Sequence, residues 1–510
     1  MPLRPALFRV SALAAALALG LSSCSTADTA QNNDAPAASS STEQGSANPQ
    51  LEKYYSQGID WEKCGSTIEC ASIDVPLNYD EPEKDSIKLA LNRRAAEGAQ
   101  GNLLVNPGGP GGSGIDLVTQ GTQVMFSNNL QRAYNIIGFD PRGVGESTRV
   151  ICQSDKEVDE GRQENLKAWE DADRGKIVED AKEYADACAA NTGELLGHVD
   201  TASAAKDMDI IRAVLGDDKL DYLGYSYGTF LGATYADIFP DKVGRLVLDG
   251  AMDPTASGEE LTLAQAQGFE GEIDAWLENC LEGQNCPFTG SVEEAKKQLQ
   301  DFLAEIEQTP MTASDGRSVP IIDFVSGFIL PLYDDANWPY LTNAMAEAVD
   351  GNVDQMLYFS DLSADRGEDG KYKSNSMDVL TAVNCLDRPM DASEEAMDKD
   401  AAELEKASPT LGKYLAYGQI VCDEWDFPST GKPEALDAAG SADILVVGTT
   451  GDPATPYKWS QSLADQLENG HLLTYNGHGH TAYGRSNQCI TDAVDNYLID
   501  GKVPADGTTC

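Results

Sequence analysis

A Gly-x-Ser-x-Gly stretch is the first place where this sequence could do chemistry. The motif GYSYG (224–228) lies between the apolar run LDYLG and the stretch GTFLGATYADIFP. The run is typical of a strand and the stretch of a helix, so Ser226 would occupy a sharp strand-to-helix turn with its hydroxyl projecting. Because a serine hydroxyl is a weak nucleophile, it needs an oriented base. The context predicts a nucleophile at Ser226, rather than a serine that lies between glycines by chance.

A second glycine-rich stretch could stabilise the charge that such a serine creates. NPGGPGGSG (106–114) follows the apolar run NLLV and has five glycines in nine residues. Its backbone N–H groups could bind the oxyanion of a tetrahedral intermediate, together with the N–H of the residue after the serine. We therefore expect Gly109 and Tyr227 to form the oxyanion hole. A phosphate-binding loop is disfavoured because the Gly-Lys-Ser/Thr ending is missing.

The base should be one of four histidines. In enzymes whose serine sits on such a turn, the chain order is serine, acid, histidine, which excludes His198. His471 begins an apolar strand and is interpreted as structural. The loop NGHGHTAYG that follows this strand contains His478 and His480, and the residues alone leave both open.

The acid that orients the histidine should follow the preceding strand. ILVVGTTGDPATP places Asp452 directly after an apolar run, where its carboxylate could hold the imidazole tautomer and stabilise its positive charge. Asp249, at the end of the earlier run RLVLD, is the alternative.

No metal and no cofactor are expected. His478 and His480 form an H-x-H pair, but no third and fourth ligands accompany them on the loop, and the sequence contains no C-x-x-C pair. The chain has 84 acidic and 36 basic residues, a formal charge of −48. Because nucleic-acid phosphates would be repelled, no nucleic-acid partner is expected. The acidity could attract cationic substrates, or it could simply keep an exported protein soluble.

The elements that must position these residues alternate between strands and helices. Short, nearly continuous apolar runs occur at 101–109, 134–143, 220–226, 244–250, 442–450 and 471–477. Such runs are typical of strands covered on both faces, hence of a mostly parallel sheet in an α/β fold. We expect a core in two parts, 51–254 and 440–510, the second with the acid and the histidine. The region 255–439 is interpreted as an inserted, mainly helical cap, because strand-like runs are scarce there.

The N-terminus is interpreted as a leader rather than as part of the fold. Residues 1–23 contain two arginines and a short apolar run, and LSSC follows. This resembles the lipobox of bacterial lipoproteins, in which Cys24 would be the lipidated first residue; an ordinary secretory signal is the alternative. Residues 24–50 would then form a polar tether. The expected location is extracytoplasmic, with the lipid holding the protein at the outer membrane face or after release into the envelope.

Cysteine usage favours export. Ten cysteines remain after Cys24, an even number that suggests disulfides. The nearest neighbours in sequence suggest three pairs, Cys64–Cys70, Cys280–Cys286 and Cys489–Cys510.

Taken together, the motifs resemble those of exported actinobacterial α/β-hydrolase peptidases of the prolyl and tripeptidyl aminopeptidase type. The matching segments, in the order of that family, are VPLNYDEP, NPGGPGGSG, FDPRGVGES, GYSYGTFLGATYADIFPDKVGRLVLDG, AVNCLD, GDPATP and GHGHTAYGRSNQC. The resemblance implies an α/β-hydrolase fold and a triad of Ser226, Asp452 and His480, since the histidine of a GHTAYG-type run is the family's base. It also implies acidic cap groups that hold the free amino terminus of a peptide substrate.

Three functions are compatible with these residues. The first is a lipid-anchored serine exopeptidase that releases short peptides or single residues from a free N-terminus through an acyl-enzyme. The second is an esterase or lipase with the same triad, acting on envelope lipids or esters. The third is a non-catalytic envelope protein, which a complete set of serine, acid and histidine disfavours.

Overall fold

A nine-stranded, mostly parallel sheet forms the centre of the computed structural model, which describes residues 49–510. The strands in chain order are β1 (Glu62–Lys63), β2 (Glu69–Pro76), β3 (Ser86–Arg94), β4 (Gly101–Asn106), β5 (Tyr134–Phe139), β6 (Leu220–Tyr225), β7 (Val243–Asp249), β8 (Met311–Thr312), β9 (Ser318–Val319), β10 (Ile444–Gly451) and β11 (Gly470–His478). Strands β8 and β9 form a separate hairpin. The large sheet has the order β1-β2-β3-β5-β4-β6-β7-β10-β11. Its first three neighbour pairs are antiparallel, and the remaining pairs, from β5–β4 to β10–β11, are parallel.

Helices connect the strands and cover the sheet. They are α1 (Glu52–Tyr55), α2 (Gly114–Asp116), α3 (Thr122–Met125), α4 (Leu130–Ala133), α5 (Asp155–Arg162), α6 (Asp171–Thr192), α7 (Thr201–Val214), α8 (Tyr227–Ile238), α9 (Gly258–Glu282), α10 (Val292–Gln308), α11 (Ile321–Ile329), α12 (Trp338–Val349), α13 (Asp354–Ser363), α14 (Ser376–Asp387), α15 (Glu394–Ala407), α16 (Ile420–Asp423), α17 (Tyr457–Gln466) and α18 (Gln488–Asp500).

The central strands bury both of their faces, as their continuous apolar sequences require. Consecutive side chains point to opposite faces of a strand, so each strand feeds two cores. Leu104, Tyr222 and Val446 belong to one core, and Leu103, Leu223 and Leu445 belong to the other. Helices α7, α8 and α17 contribute to the first core, and α3 and α18 to the second. The expected α/β-hydrolase fold is confirmed.

A helical layer lies between β7 and β10 in the chain and has its own core. Helices α9 and α10 begin with capping boxes, in which Ser257 and Ser291 exchange hydrogen bonds with the glutamate three residues later. Their apolar faces bury side chains that include Trp276 of α9 and Leu299 of α10. Helices α9–α13, α15 and α16 contribute to this core and form the inserted helical cap expected from the sequence, whereas α14 packs into the core of the sheet.

The cap also receives residues from the first part of the chain. Arg162, the last residue of α5, forms ion pairs with Asp323 (2.8 Å) and Asp361 (3.0 Å) of the cap. The ring of Trp169 packs edge-on against Tyr414, with ring centroids 5.3 Å apart. The sequence contained no signal for this docking, because α5 and α6 precede β6 and look like ordinary connections.

Disulfides join all ten cysteines of the described residues. The three expected pairs, Cys64–Cys70, Cys280–Cys286 and Cys489–Cys510, are confirmed. Two further pairs link cysteines distant in sequence, Cys152–Cys188 and Cys385–Cys422. Five disulfides indicate an oxidising, extracytoplasmic environment. Within residues 49–510, no helix combines the length and apolar character that a membrane crossing requires. The leader 1–23, Cys24 and the tether up to residue 48 lie outside the described residues.

Candidate active site

Ser226 occupies a strained turn between β6 and α8. Its backbone has φ 55° and ψ −124°, a conformation that residues other than glycine rarely adopt. The turn is tight, because a Cβ at Gly224 would lie 2.4 Å from the carbonyl oxygen of Gly228. The Ser226 N–H donates to the carbonyl oxygen of Asp249 (2.9 Å), which ties the turn to the end of β7. The serine therefore has the strand–turn–helix setting expected from its motif.

Asp452 and His480 form a buried pair at the ends of β10 and β11. The Nδ1 atom of His480 lies 2.9 Å and 3.0 Å from the two carboxylate oxygens, and both side chains are nearly inaccessible to solvent. A carboxylate only accepts hydrogen bonds, so the proton belongs on Nδ1 and Nε2 is left with a free lone pair. This is the tautomer in which an imidazole acts as a general base through Nε2.

Four further hydrogen bonds fix the Asp452 carboxylate. It accepts from the backbone N–H groups of Ala454 (3.0 Å), Thr455 (2.8 Å) and Thr481 (3.1 Å), and from the hydroxyl of Thr455 (2.9 Å). The same hydroxyl lies 3.2 Å from Nδ1 of His480. These hydrogen bonds fix the orientation of the carboxylate beside the imidazole. Thr455 was not singled out from the sequence, although it lies inside GDPATP.

Ser226 and the Asp452–His480 pair lie together at the carboxyl ends of the parallel strands. Gly250 follows Asp249, whose carbonyl binds the Ser226 N–H, and a Cβ at Gly250 would lie 3.3 Å from Cε1 of His480. Serine and imidazole thus lie against the same two residues. The Ser226 hydroxyl itself has no hydrogen-bond partner among residues 49–510, so its contact with Nε2 is the part of the expected triad that this structure does not contain. Such contacts are often long before substrate binds.

Asp249, the alternative acid, makes different contacts. It is fully buried, and its carboxylate accepts from the N–H groups of Ala482 (3.0 and 3.1 Å) and Tyr483 (2.7 Å) rather than from the His480 ring. Burial raises the pKa of Asp249 to about 6, although these amides oppose the shift. Asp249 thus holds the loop that follows the histidine, while Asp452 holds the ring.

The glycine-rich loop lies directly against the serine. A Cβ on Gly108, which has φ +95°, would lie 2.9 Å from Cβ of Ser226 and 3.1 Å from the nitrogen of Tyr227. Tyr227 is the first residue of α8, so its N–H has no acceptor within the helix. Gly109 is one residue further along the loop, and its backbone packs against Gly111 and Gly112. The closest approach is therefore made by Gly108, next to the predicted Gly109.

Cap residues complete the surroundings of the histidine. The backbone N–H of His480 donates a hydrogen bond to the backbone carbonyl oxygen of Tyr333 (2.8 Å). The Tyr333 ring packs edge-on against the imidazole. Glu272 of α9 pairs with Nδ1 of His478 (2.8 Å). Burial raises the pKa of Glu272 to about 7. No sequence pattern pointed to either cap residue, because they are more than a hundred residues from the histidine loop.

Comparison with known proteins identifies a matching family and several relatives. Residues 408–510 match the family described as TAP-like protein. Serine protease Hip1 of Mycobacterium tuberculosis is 36% identical over 481 residues, covering 89% of this chain and 91% of the relative. Carboxylesterase B of the same species is 34% identical over 455 residues, covering 87% and 86%. Tripeptidyl aminopeptidase of Streptomyces lividans is 32% identical over 471 residues, covering 89% and 86%.

Proposed function

The chain belongs to the TAP-like family of α/β-hydrolases, and on this premise we propose that it is an extracytoplasmic serine exopeptidase that cleaves short peptides or single residues from a free N-terminus. The buried Asp452–His480 pair, held at 2.9 Å beside the Ser226 turn, is the observation that carries the proposal. The peptidases Hip1 and tripeptidyl aminopeptidase among its relatives support the reaction class.

The geometry supports a two-step acyl transfer. The Ser226 hydroxyl attacks the carbonyl carbon of the scissile bond while Nε2 of His480 takes its proton. The carbonyl oxygen becomes an oxyanion that accepts hydrogen bonds from the amides of Gly109 and Tyr227. When the intermediate collapses, Nε2 gives the proton to the leaving amine. Water then attacks the acyl-enzyme with His480 as base, which frees the N-terminal product and restores the serine.

A buried carboxyl group of the cap favours a substrate with a free amine. Glu272 is 3% exposed and lies next to Gly451, the last residue of β10, directly before Asp452. Its Oε1 pairs with His478, but Oε2 has no hydrogen-bond partner among the described residues. A substrate ammonium would stabilise the charged form of such a carboxylate. Glu272 is thus our candidate for one of the acidic groups that hold the amino terminus.

An esterase is the second candidate, because carboxylesterase B is also a relative. The acyl-transfer steps are the same for an ester, so the triad alone does not distinguish the two. The unpartnered oxygen of Glu272 favours a cationic substrate over a lipid. For the same reason a peptide, and not a nucleic acid, is the proposed partner.

The deciding experiment compares tripeptidyl anilides with a free N-terminus, the same anilides N-acetylated, and acyl esters. We expect the free-amine anilides to be cleaved fastest, and Glu272→Gln to raise KM for them while leaving KM for the acetylated series unchanged. Ser226→Ala should abolish turnover with an unchanged circular dichroism spectrum, whereas Ser56→Ala, an exposed serine, should keep wild-type activity. Rapid ester turnover without any amide cleavage would reject the peptidase proposal and favour an esterase.

The membrane anchor is proposed on sequence grounds. LSSC after the apolar run supports lipidation of Cys24, with residues 25–50 as the tether to the folded part. Expression of the full chain with a radiolabelled fatty acid would test this, with Cys24→Ala as the control. Label in both forms, or in neither, would contradict the lipid anchor and favour an ordinary secretory signal.

A further inference from the structure

Arg388, directly after α14, is a buried arginine without a polar partner. Arg388 is 5% exposed, and its Nε is buried without a hydrogen-bond partner among residues 49–510. Arg142 shows the usual arrangement, since its buried guanidinium forms two hydrogen bonds of 2.7 Å with Asp207. Among the buried arginines, Arg388 is therefore anomalous.

Such an arrangement is unfavourable for the folded protein alone. Burial removes water from the guanidinium and lowers the pKa of Arg388, although the nearby charge of Asp387 opposes the shift. An apolar side chain of similar size would fill the space without this cost. The carboxylate of neighbouring Asp387 accepts no hydrogen bond from Arg388; it accepts from the N–H and hydroxyl of Thr201 (2.9 and 2.6 Å) and acts on the guanidinium only through its charge.

The position of the guanidinium relates it to the candidate active site. Its carbon Cζ lies 5.2 Å from the ring centroid of Phe230. Phe230 lies on α8 four residues after Ser226, a rise of about 6 Å along the helix, and its ring packs against that of Tyr227. Because Tyr227 directly follows the serine and a peptide spans roughly 3.5 Å per residue, the guanidinium lies within a few substrate residues of the attacked carbonyl.

We propose that Arg388 is a binding residue for a carboxylate of the substrate, namely the C-terminal carboxylate of a short peptide. This inference rests on the proposed peptidase function and extends it: the enzyme prefers oligopeptides whose end lies a few residues beyond the scissile bond. A planar guanidinium whose Nε has no hydrogen-bond partner is suited to a bidentate carboxylate contact. An aspartate or glutamate side chain of the substrate offers the same chemistry and is distinguished by the test.

The test uses free-amine pentapeptides in matched pairs. One pair differs only at the C-terminus, acid or amide, and a second pair, both C-terminal amides, carries Glu or Gln at the last position. We expect the C-terminal acid to exceed its amide in kcat/KM by about 10-fold or more, and Arg388→Met to bring this ratio to about 1. Arg132→Met, which removes an exposed arginine of the same charge, should keep the wild-type ratio. A preference for Glu over Gln with no preference for the C-terminal acid would replace the proposed ligand.

Stability and binding separate this inference from a structural role and from the function itself. Because the guanidinium is unpartnered, Arg388→Met should keep or raise Tm. A marked fall in Tm, or an unchanged acid-to-amide ratio, would overturn the proposal. Calorimetric binding of the pentapeptide acid and amide to Ser226→Ala, with and without Arg388→Met, needs no turnover. Loss of acid preference there supports the Arg388 site even if the peptidase proposal fails.

Discussion

Two buried carboxylates at the ends of neighbouring strands offer a sharp test of the site. Asp452 directly follows β10 and Asp249 ends β7. The His480 ring contacts Asp452, and the backbone after His480 donates to Asp249. Replacing each by asparagine removes one buried carboxylate. The two variants should nevertheless fail in different ways.

Asp452→Asn should remove the orientation of the imidazole. If the asparagine nitrogen faces Nδ1, the proton moves to Nε2, which then cannot accept from the serine; the corresponding change in a serine triad lowers kcat about 10⁴-fold, or about 5 kcal/mol. The new NH₂ group must also face at least one backbone donor, since N–H groups of Ala454 and Thr455 contact Oδ1 and that of Thr481 contacts Oδ2. Leaving such a donor unpaired costs about 1–3 kcal/mol of stability.

Asp249→Asn should change stability more than chemistry, and in a pH-dependent way. Its pKa rises from 3.8 to about 6, so the native state binds the proton more tightly than the unfolded state. Ionised Asp249 therefore costs about 3 kcal/mol above pH 6, and this cost disappears as pH falls from about 6 to about 4. Asparagine never carries the cost. The variant should be near neutral at pH 7, where relief of the charge offsets weaker amide contacts, and most destabilised relative to wild type near pH 4.

The assay is kcat on a tripeptidyl anilide together with urea unfolding at pH 4 and pH 7. We expect a kcat ratio between Asp249→Asn and Asp452→Asn of about 10² or more, with both variants folded. Equal losses of kcat, or Asp452→Asn retaining a tenth of wild-type activity, would refute the assignment of the acid. A stability difference for Asp249→Asn that is independent of pH would refute the account of its burial.

Three further changes test other parts of the structure. Gly108→Ala should lower kcat at least about 100-fold with little effect on folding elsewhere, because a Cβ there would lie 2.4 Å from the backbone oxygen of Tyr225. Wild-type kinetics would contradict the close packing of this loop. Replacing Cys489 and Cys510 by serine should lower the unfolding free energy by about 3 kcal/mol, since their bond closes a loop of 21 residues; an unchanged urea midpoint would exclude this. Asp207→Asn should cost about 3 kcal/mol or more because Arg142 keeps an uncompensated buried charge, and a smaller loss in the same urea assay would argue against the pair.

The sequence predicted the sheet and the positions at its edge because both are encoded locally. Continuous apolar runs require strands covered on both faces, and the residues after those runs must lie at one edge. Ser226, Asp452 and the histidine loop are all of this kind. The choice between His478 and His480 was not local: it came from a family resemblance, and in the structure His480 pairs with Asp452 whereas His478 pairs with Glu272.

What the sequence did not predict depends on packing between distant segments. Tyr333 and Glu272 reach the histidine loop only after the cap has folded over the sheet, and neither lies in a recognisable motif. The same holds for Arg388, whose anomaly is the absence of a partner: the sequence places Asp387 beside it, which suggests an ion pair, but the structure directs that carboxylate to Thr201. Proximity along the chain does not settle which polar groups pair.

The strand order poses a distance problem that Asp249 solves. Strands β6 and β11 are separated by β7 and β10, so serine and histidine begin about 14 Å apart at a spacing of about 4.8 Å per strand. The chain after β11 therefore has to return across the carboxyl ends of β10 and β7 to reach the serine.

Each strand that the returning loop crosses holds it by one side chain. On β10, the Thr449 hydroxyl donates to the Thr481 carbonyl (3.1 Å), and on β7 the Asp249 carboxylate accepts from the backbone of Ala482 and Tyr483. The carbonyl of Asp249 meanwhile accepts from Ser226, so one residue fixes the backbone of nucleophile and base alike. A buried carboxylate with a raised pKa is a costly anchor, and its position between the two reacting groups gives a physical reason for placing it at the end of β7.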